Sequence, residues 1–180
     1  GELNERGIAA ACELDVNNAV MMRALYLAAD HPVMLLDVNN NYGDSDDACI
    51  FFHCGPAPQS MMAERGHIEE HLMFRKSYGE GSGVGINKGK LMSGNVTIGS
   101  FKTENGALCS FVSEGTLTDE PVGDGFFGCG TVFRKPDVQA MLRYMCENGY
   151  RHHVAIVKGS WGKAVEEAFA KYLGYQIDAI

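Results

Sequence analysis

The apolar runs of this chain are short, and several end abruptly on a carboxylate or an imidazole. Residues 8–12 (IAAAC) predict a buried strand. The following DVNNAVMMRALYLAAD has helical spacing, with Val16, Val20 and Leu27 on one face and Asp15 or Asn17 placed to cap it. His31-Pro32 stops that helix, because a residue before proline is pushed out of the helical region. VMLLDV then predicts a continuous apolar strand ending at Asp37. Strand, helix and strand in close succession make a small α/β unit, and ligands in such sheets collect at the carboxyl ends of strands. Glu13 and Asp37 both stand at such ends.

Beyond Asp37 the texture changes. Residues 39–47 (NNNYGDSDD) predict a polar loop, and ACIFFHCG a buried strand broken at Gly55-Pro56. From residue 83 to 118, glycine-rich turns separate strand-like runs, and Asn105-Gly106 between two of them is the signature of a type I′ hairpin. Pro136 to Glu147 predicts a helix stopped by Asn148-Gly149. YRHHVAIVKG reads as a further strand and GKAVEEAFAKYLG as a closing amphipathic helix. The expected fold class is α+β: a short strand-helix-strand segment from an α/β domain, then an antiparallel β-barrel with flanking helices.

Composition narrows the partners. With 180 residues, 46% of them hydrophobic, the chain can build one real core. A formal charge of -8 with scattered basic residues argues against nucleic acid or an anionic membrane surface. No apolar run nears the roughly 20 residues needed to span a bilayer, and no signal peptide opens the chain, so the expected location is cytoplasmic. The six cysteines, Cys12, Cys49, Cys54, Cys109, Cys129 and Cys146, contain no C-x-x-C pair and sit mostly in apolar segments. They are expected to be reduced and buried. The first residue is Gly, not Met, which is the expectation for a piece of a longer protein.

The polar residues that end apolar runs are Glu13, Asp37, His53 and the pair His152, His153. Such groups are costly to bury unless they are paired, so several together point to a shared polar site. Carboxylates with one or two imidazoles suit a divalent cation. Two bland readings stay open: Glu13 caps the helix and Asp37 starts a turn, or His53 is a core histidine bonded to backbone. Alternation along a strand lets only one of His152 and His153 face a given side. His67 to His71 (HIEEH) fits the pattern of inverted zinc peptidases, which requires two imidazoles on one helical face, but a solvated helix gives it equally well. The stretch YGEGSGVGINKGKL lacks the spacing of either phosphate-binding glycine motif and reads as a loop or hairpin.

The run ACELDVNNAVMMRALYL, followed by PVMLLDVNN, FFHCGPAP and HHVAIVKG before a terminal helix, resembles the C-terminal part of the L-fucose isomerase and L-arabinose isomerase superfamily. The C-E-x-D turn, the D-x-N-N turn and the His-bearing strand carry the likeness, which spans most of the chain. It implies a Mn²⁺-dependent aldose-ketose isomerase, with Mg²⁺ or Co²⁺ as alternative ions, acting on a fucose- or arabinose-type monosaccharide. The implied metal ligands are Glu13, Asp37 and His153, and Glu13 and Asp37 are also the implied acid and base. His53, Asn39 and Trp161 are the substrate-contact candidates. The family architecture further implies that residues 1–30 end a middle α/β domain and that 31–180 form the C-terminal barrel. The full-length protein is expected to be a homo-oligomer in which an N-terminal region completes the sugar pocket. By that reasoning the chain alone has little isomerase activity. The alternative is a non-catalytic sugar-binding or assembly domain.

Overall fold

A computed structural model describes residues 16–53, 57–64, 67–70, 85–122 and 129–180. Its first element, α1 (Val16–Ala29), leads into β1 (Val33–Asn41) and β2 (Ala48–Phe52). A 3₁₀ turn at Gln59–Met61 precedes β3 (His67–Glu70) and β4 (Gly85–Lys90). The long hairpin of β5 (Gly94–Glu104) and β6 (Ala107–Thr118) follows, then β7 (Cys129–Arg134). The chain finishes with α2 (Val138–Glu147), β8 (His153–Lys158), α3 (Gly162–Leu173) and the short β9 (Asp178–Ala179).

Strands β7, β2, β1, β8, β5 and β6 are neighbours in that order, and β6 pairs back onto β7. Every one of these pairings is antiparallel, so the six strands close into a barrel with no free edge. The β3–β4 ribbon joins β7 in parallel and β9 lies parallel to β6, both outside the ring. The fold is thus the expected α+β antiparallel barrel with flanking helices.

Side-chain alternation sorts β1 between two cores. Met34, Leu36 and Val38 point inward with Cys49, Phe51, Ile98, Phe111, Phe133 and Ile156. Burial there pushes the Cys49 thiol up to about 12, so it stays protonated. On the outer face Val33, Ala155 and Val157 pack under Met21, Leu25 and Ala29 of α1 and Val165 and Phe169 of α3. Covered on both sides, β1 carries the unbroken apolar run VMLL.

Several details depart from the sequence reading. The buried face of α1 is Asn18, Met21, Leu25 and Ala29, whereas Val20 and Leu27 are exposed. Strand β1 does not stop at Asp37 but runs to Asn41, with a bulge between Val38 and Asn40. His67–Glu70 is a strand, so the helical face required by the zinc-peptidase pattern does not form. Asn105 and Gly106 take the positive φ angles of the expected hairpin turn, 50° and 80°. The expected strand at 8–12 lies outside the described residues, as does the loop at 79–84.

Candidate metal centre

Register in the barrel wall brings the site together. Asp37, in the middle of β1, is directly opposite His153, the first residue of β8, and on its other side opposite Phe52 of β2. Both side chains share the barrel's outer face, because Asp37 is in phase with Val33 and Leu35, and His153 with Ala155 and Val157. Directly opposed residues on one face bring their Cβ atoms to about 5 Å. His153 Nε2 accordingly lies 3.2 Å from Asp37 Oδ1.

His152 joins the same carboxylate from a different geometry. It precedes β8 and so escapes the strict alternation of the pleat; its Nε2 lies 3.7 Å from Asp37 Oδ1. The two imidazole rings meet edge to face at 4.3 Å. The position is anchored by the main chain, since Val38 N donates to His152 O at 2.7 Å. The side chain of Asp37 is 2% exposed, that of His153 13% and that of His152 63%, so the set runs from the protein interior to solvent.

One ligand atom from each of Asp37, His152 and His153 lies within 4.8 Å of the others. Among the described residues this is the one trio of His, Cys, Asp or Glu with that geometry. One carboxylate and two imidazoles form an N/O donor set suited to first-row divalent ions such as Mn²⁺ or Co²⁺. Without thiolate, and with one side open to solvent, the set fits a cation that keeps coordination positions for exchangeable ligands.

The backbone around His153 is held by a polar triad. Asn18, on the buried face of α1, donates from Nδ2 to His153 O at 3.2 Å. Its Oδ1 accepts from Phe101 N at 3.1 Å, and Ser100 Oγ lies 3.2 Å from that oxygen and 3.1 Å from His153 O. Sequence reading missed Asn18. The available signal was its position, one helical repeat ahead of Met21 and Leu25, where an apolar residue would be expected.

The other sequence candidates are more dispersed. His53, 4% exposed, lies one residue past β2, and alternation from the inward-facing Phe51 puts that position on the core side, away from Asp37. Asn39 is the extra residue of the β1 bulge, two positions from Asp37, and bulges often adjoin functional sites. Trp161 lies beyond the far end of β8, roughly 16 Å of strand from His153. There its Nε1 donates to Lys158 O and its N donates to Thr97 Oγ1, each at 2.7 Å. Glu13 lies outside the described residues.

A second charged cluster stands on the opposite wall. Arg134 donates to both carboxylate oxygens of Glu120, at 2.7 and 2.6 Å, and to Asp47 at 2.8 Å. That guanidinium, with Thr118, holds the Glu120 carboxyl down at about 2.

Comparison with known families places the molecule. Residues 51–180, well over half of the chain, match the family described as L-fucose isomerase, C-terminal domain, so the chain belongs to that family. A comparison with curated proteins finds no match.

Proposed function

From membership of a family of sugar isomerases, we propose that this chain is the metal-holding portion of an aldose-ketose isomerase for a fucose- or arabinose-type monosaccharide. The observation that supports this most is the approach of His153 Nε2 to the buried Asp37 carboxylate at 3.2 Å, with His152 beside it. A bound Mn²⁺, with Mg²⁺ or Co²⁺ as alternatives, supplies Lewis-acid polarisation of adjacent sugar oxygens.

In this reading Asp37 and His153 hold the ion, and Glu13 is the third ligand. Asp37 and Glu13 are also the pair that takes a proton from one sugar carbon and returns it to the next, a step typically contributing about 10²- to 10⁴-fold. Asn39, two positions from Asp37, is proposed to contact substrate, whereas His53, buried on the core side, does so only if the pocket extends beneath β2. Trp161, at the other end of β8, serves that role only on a sugar reaching it from elsewhere in an assembly.

Residues 1–30 are proposed to end a preceding α/β domain and 31–180 to form the C-terminal barrel. A homo-oligomer is supported by α1, whose one charged residue is Arg23. It leaves Val20 and Leu27 exposed beside Tyr172 of α3. Among the described residues no helix is long and apolar enough to cross a membrane. Cys49, Cys109 and Cys146 are free thiols, which supports a reducing, cytoplasmic setting.

Titrating the 180-residue chain with Mn²⁺ tests the metal assignment. Saturable binding that is lost in Asp37→Ala and His153→Ala is expected; binding that survives both removes the proposal. Assay with a panel of aldoses tests the incompleteness of the pocket. Robust turnover by this chain alone is the outcome that sinks it.

A further inference from the structure

The β5–β8 ladder runs from Val96 opposite Lys158 to Gly99 opposite Ala155, and then stops. Continued in register, it would set Phe101 against His153. Instead the carboxamide of Asn18 stands between the two strands. Its oxygen takes the Phe101 N–H at 3.1 Å, and its amino group donates to the His153 carbonyl at 3.2 Å.

A carboxamide presents the same donor and acceptor as a peptide unit, so the side chain splices two strands that have parted. Where they part, a polar cleft of about 490 Å³ opens, lined by Ser100, Lys102, Glu104, Asn148 and Arg151 as well as Asn18. The Ser100 hydroxyl has one proton to give, so at any moment it reinforces only one side of the splice. Asn18 itself is 1% exposed.

We propose that Asn18 is the positioning residue of the metal centre. It fixes the main chain of His153, and with it the approach of the imidazole to Asp37. This rests on the metal reading of Asp37 and His153.

Neither an acid nor an apolar side chain of the same size matches the function. Asp at position 18 keeps an acceptor for Phe101 N–H but turns an oxygen toward the His153 carbonyl, where lone pairs repel. Leu keeps the volume and loses both bonds.

The test is Mn²⁺ binding by the 180-residue chain, followed by the electron paramagnetic resonance of the free ion, with thermal unfolding of the metal-free protein alongside. Asn18→Asp and Asn18→Leu are expected to weaken Mn²⁺ binding by about 10- to 100-fold in protein that circular dichroism shows to be folded, the range typical for partners that orient metal ligands. Ser100→Ala is expected to change it little, since the carboxamide remains. Variants that melt earlier but bind Mn²⁺ like the parent overturn the proposal, because a purely structural residue behaves that way. Amide exchange in the unsubstituted, metal-free chain gives a measurement that does not depend on a variant folding. The Phe101 N–H should be protected, and rapid exchange there also overturns the splice. Asp37→Ala separates the two levels of argument. If it loses Mn²⁺ and the Asn18 variants do not, only the role of Asn18 falls; if it binds like the parent, the metal reading falls and takes Asn18 with it.

Discussion

Two polar clusters occupy opposite walls of the barrel and follow opposite rules. On the β6–β7 side, Arg134 forks onto Glu120 and reaches Asp47, so three of its N–H groups meet carboxylate oxygens. On the β1–β8 side, the Asp37 carboxylate faces two imidazoles, at 3.2 and 3.7 Å, in place of a guanidinium. A guanidinium can only donate, so the first cluster is a clamp, whereas a carboxylate and imidazoles carry the lone pairs that a cation would need. The kind of group that faces the carboxylate therefore separates the two clusters, and the number of charged residues does not.

The largest effect that bears on this contrast is expected from Asp37→Ala, which should weaken Mn²⁺ binding by more than about 100-fold, beyond the loss typical for an outer-sphere partner. Arg134→Met should leave Mn²⁺ affinity unchanged while lowering the unfolding midpoint. Isothermal titration of both variants checks this, and loss of metal from Arg134→Met would erase the distinction. Within the site, His153→Ala should cost about tenfold or more and His152→Ala clearly less. His152 is mostly exposed and 0.5 Å farther from Asp37 in these distances, 3.7 against 3.2 Å. Equal losses would make the two imidazoles equivalent.

On the clamp side, a methyl group at Gly115 would come within 2.3 Å of the Phe133 ring and 2.8 Å of Arg134 O. Gly115→Ala should therefore destabilise the fold by about 1–3 kcal/mol, as overpacking does, with the Mn²⁺ affinity of the folded protein unchanged. Urea unfolding with and without metal measures both.

The mildest effect concerns acid. Glu120 is held at about 2 when folded against 4.5 for an ordinary glutamate, so the unfolded chain binds more protons between those values. Stability from this carboxylate is therefore present above about pH 4.5 and fades as pH falls toward 2. Glu120→Gln should be less stable near neutrality, and the gap should close across that window. A gap that stays constant from pH 6 to 2 would show that the clamp owes nothing to ionisation.

Where turn chemistry or a cap fixes the backbone, the sequence was a good guide to this fold. Asn105-Gly106 adopts the two positive φ angles its hairpin requires, and Gly149 and Gly174, each in the left-handed region, follow α2 and α3. The face of α1 was not legible for a physical reason. Val16 to Ala29 includes one charged residue, so apolar spacing fits more than one stripe, and packing on β5 and β8 selected Asn18, Met21 and Leu25. Asp37 looked like a strand end because a carboxylate interrupts an apolar run, yet backbone pairing is indifferent to side-chain polarity and continues to Asn41. The short HIEEH segment satisfied a helical pattern and a strand equally, and pairing with β4 decided it. For the two histidines, alternation holds only from His153 onward. The pleat begins at His153, which leaves His152 able to turn toward the same carboxylate.

Closure of the barrel also dictates when the site comes into being. Strand β8 is inserted between β1 and β5, both made long before it, and Asn18 meets the His153 carbonyl across 135 positions of sequence. Contacts so distant along the chain form late, because the loop must close before anything is gained from it. A nascent polypeptide synthesised only as far as β7 holds Asp37 with neither imidazole and with an incomplete ring. Any ion that needs both Asp37 and an imidazole would therefore stabilise only chains in which β8 has found its slot.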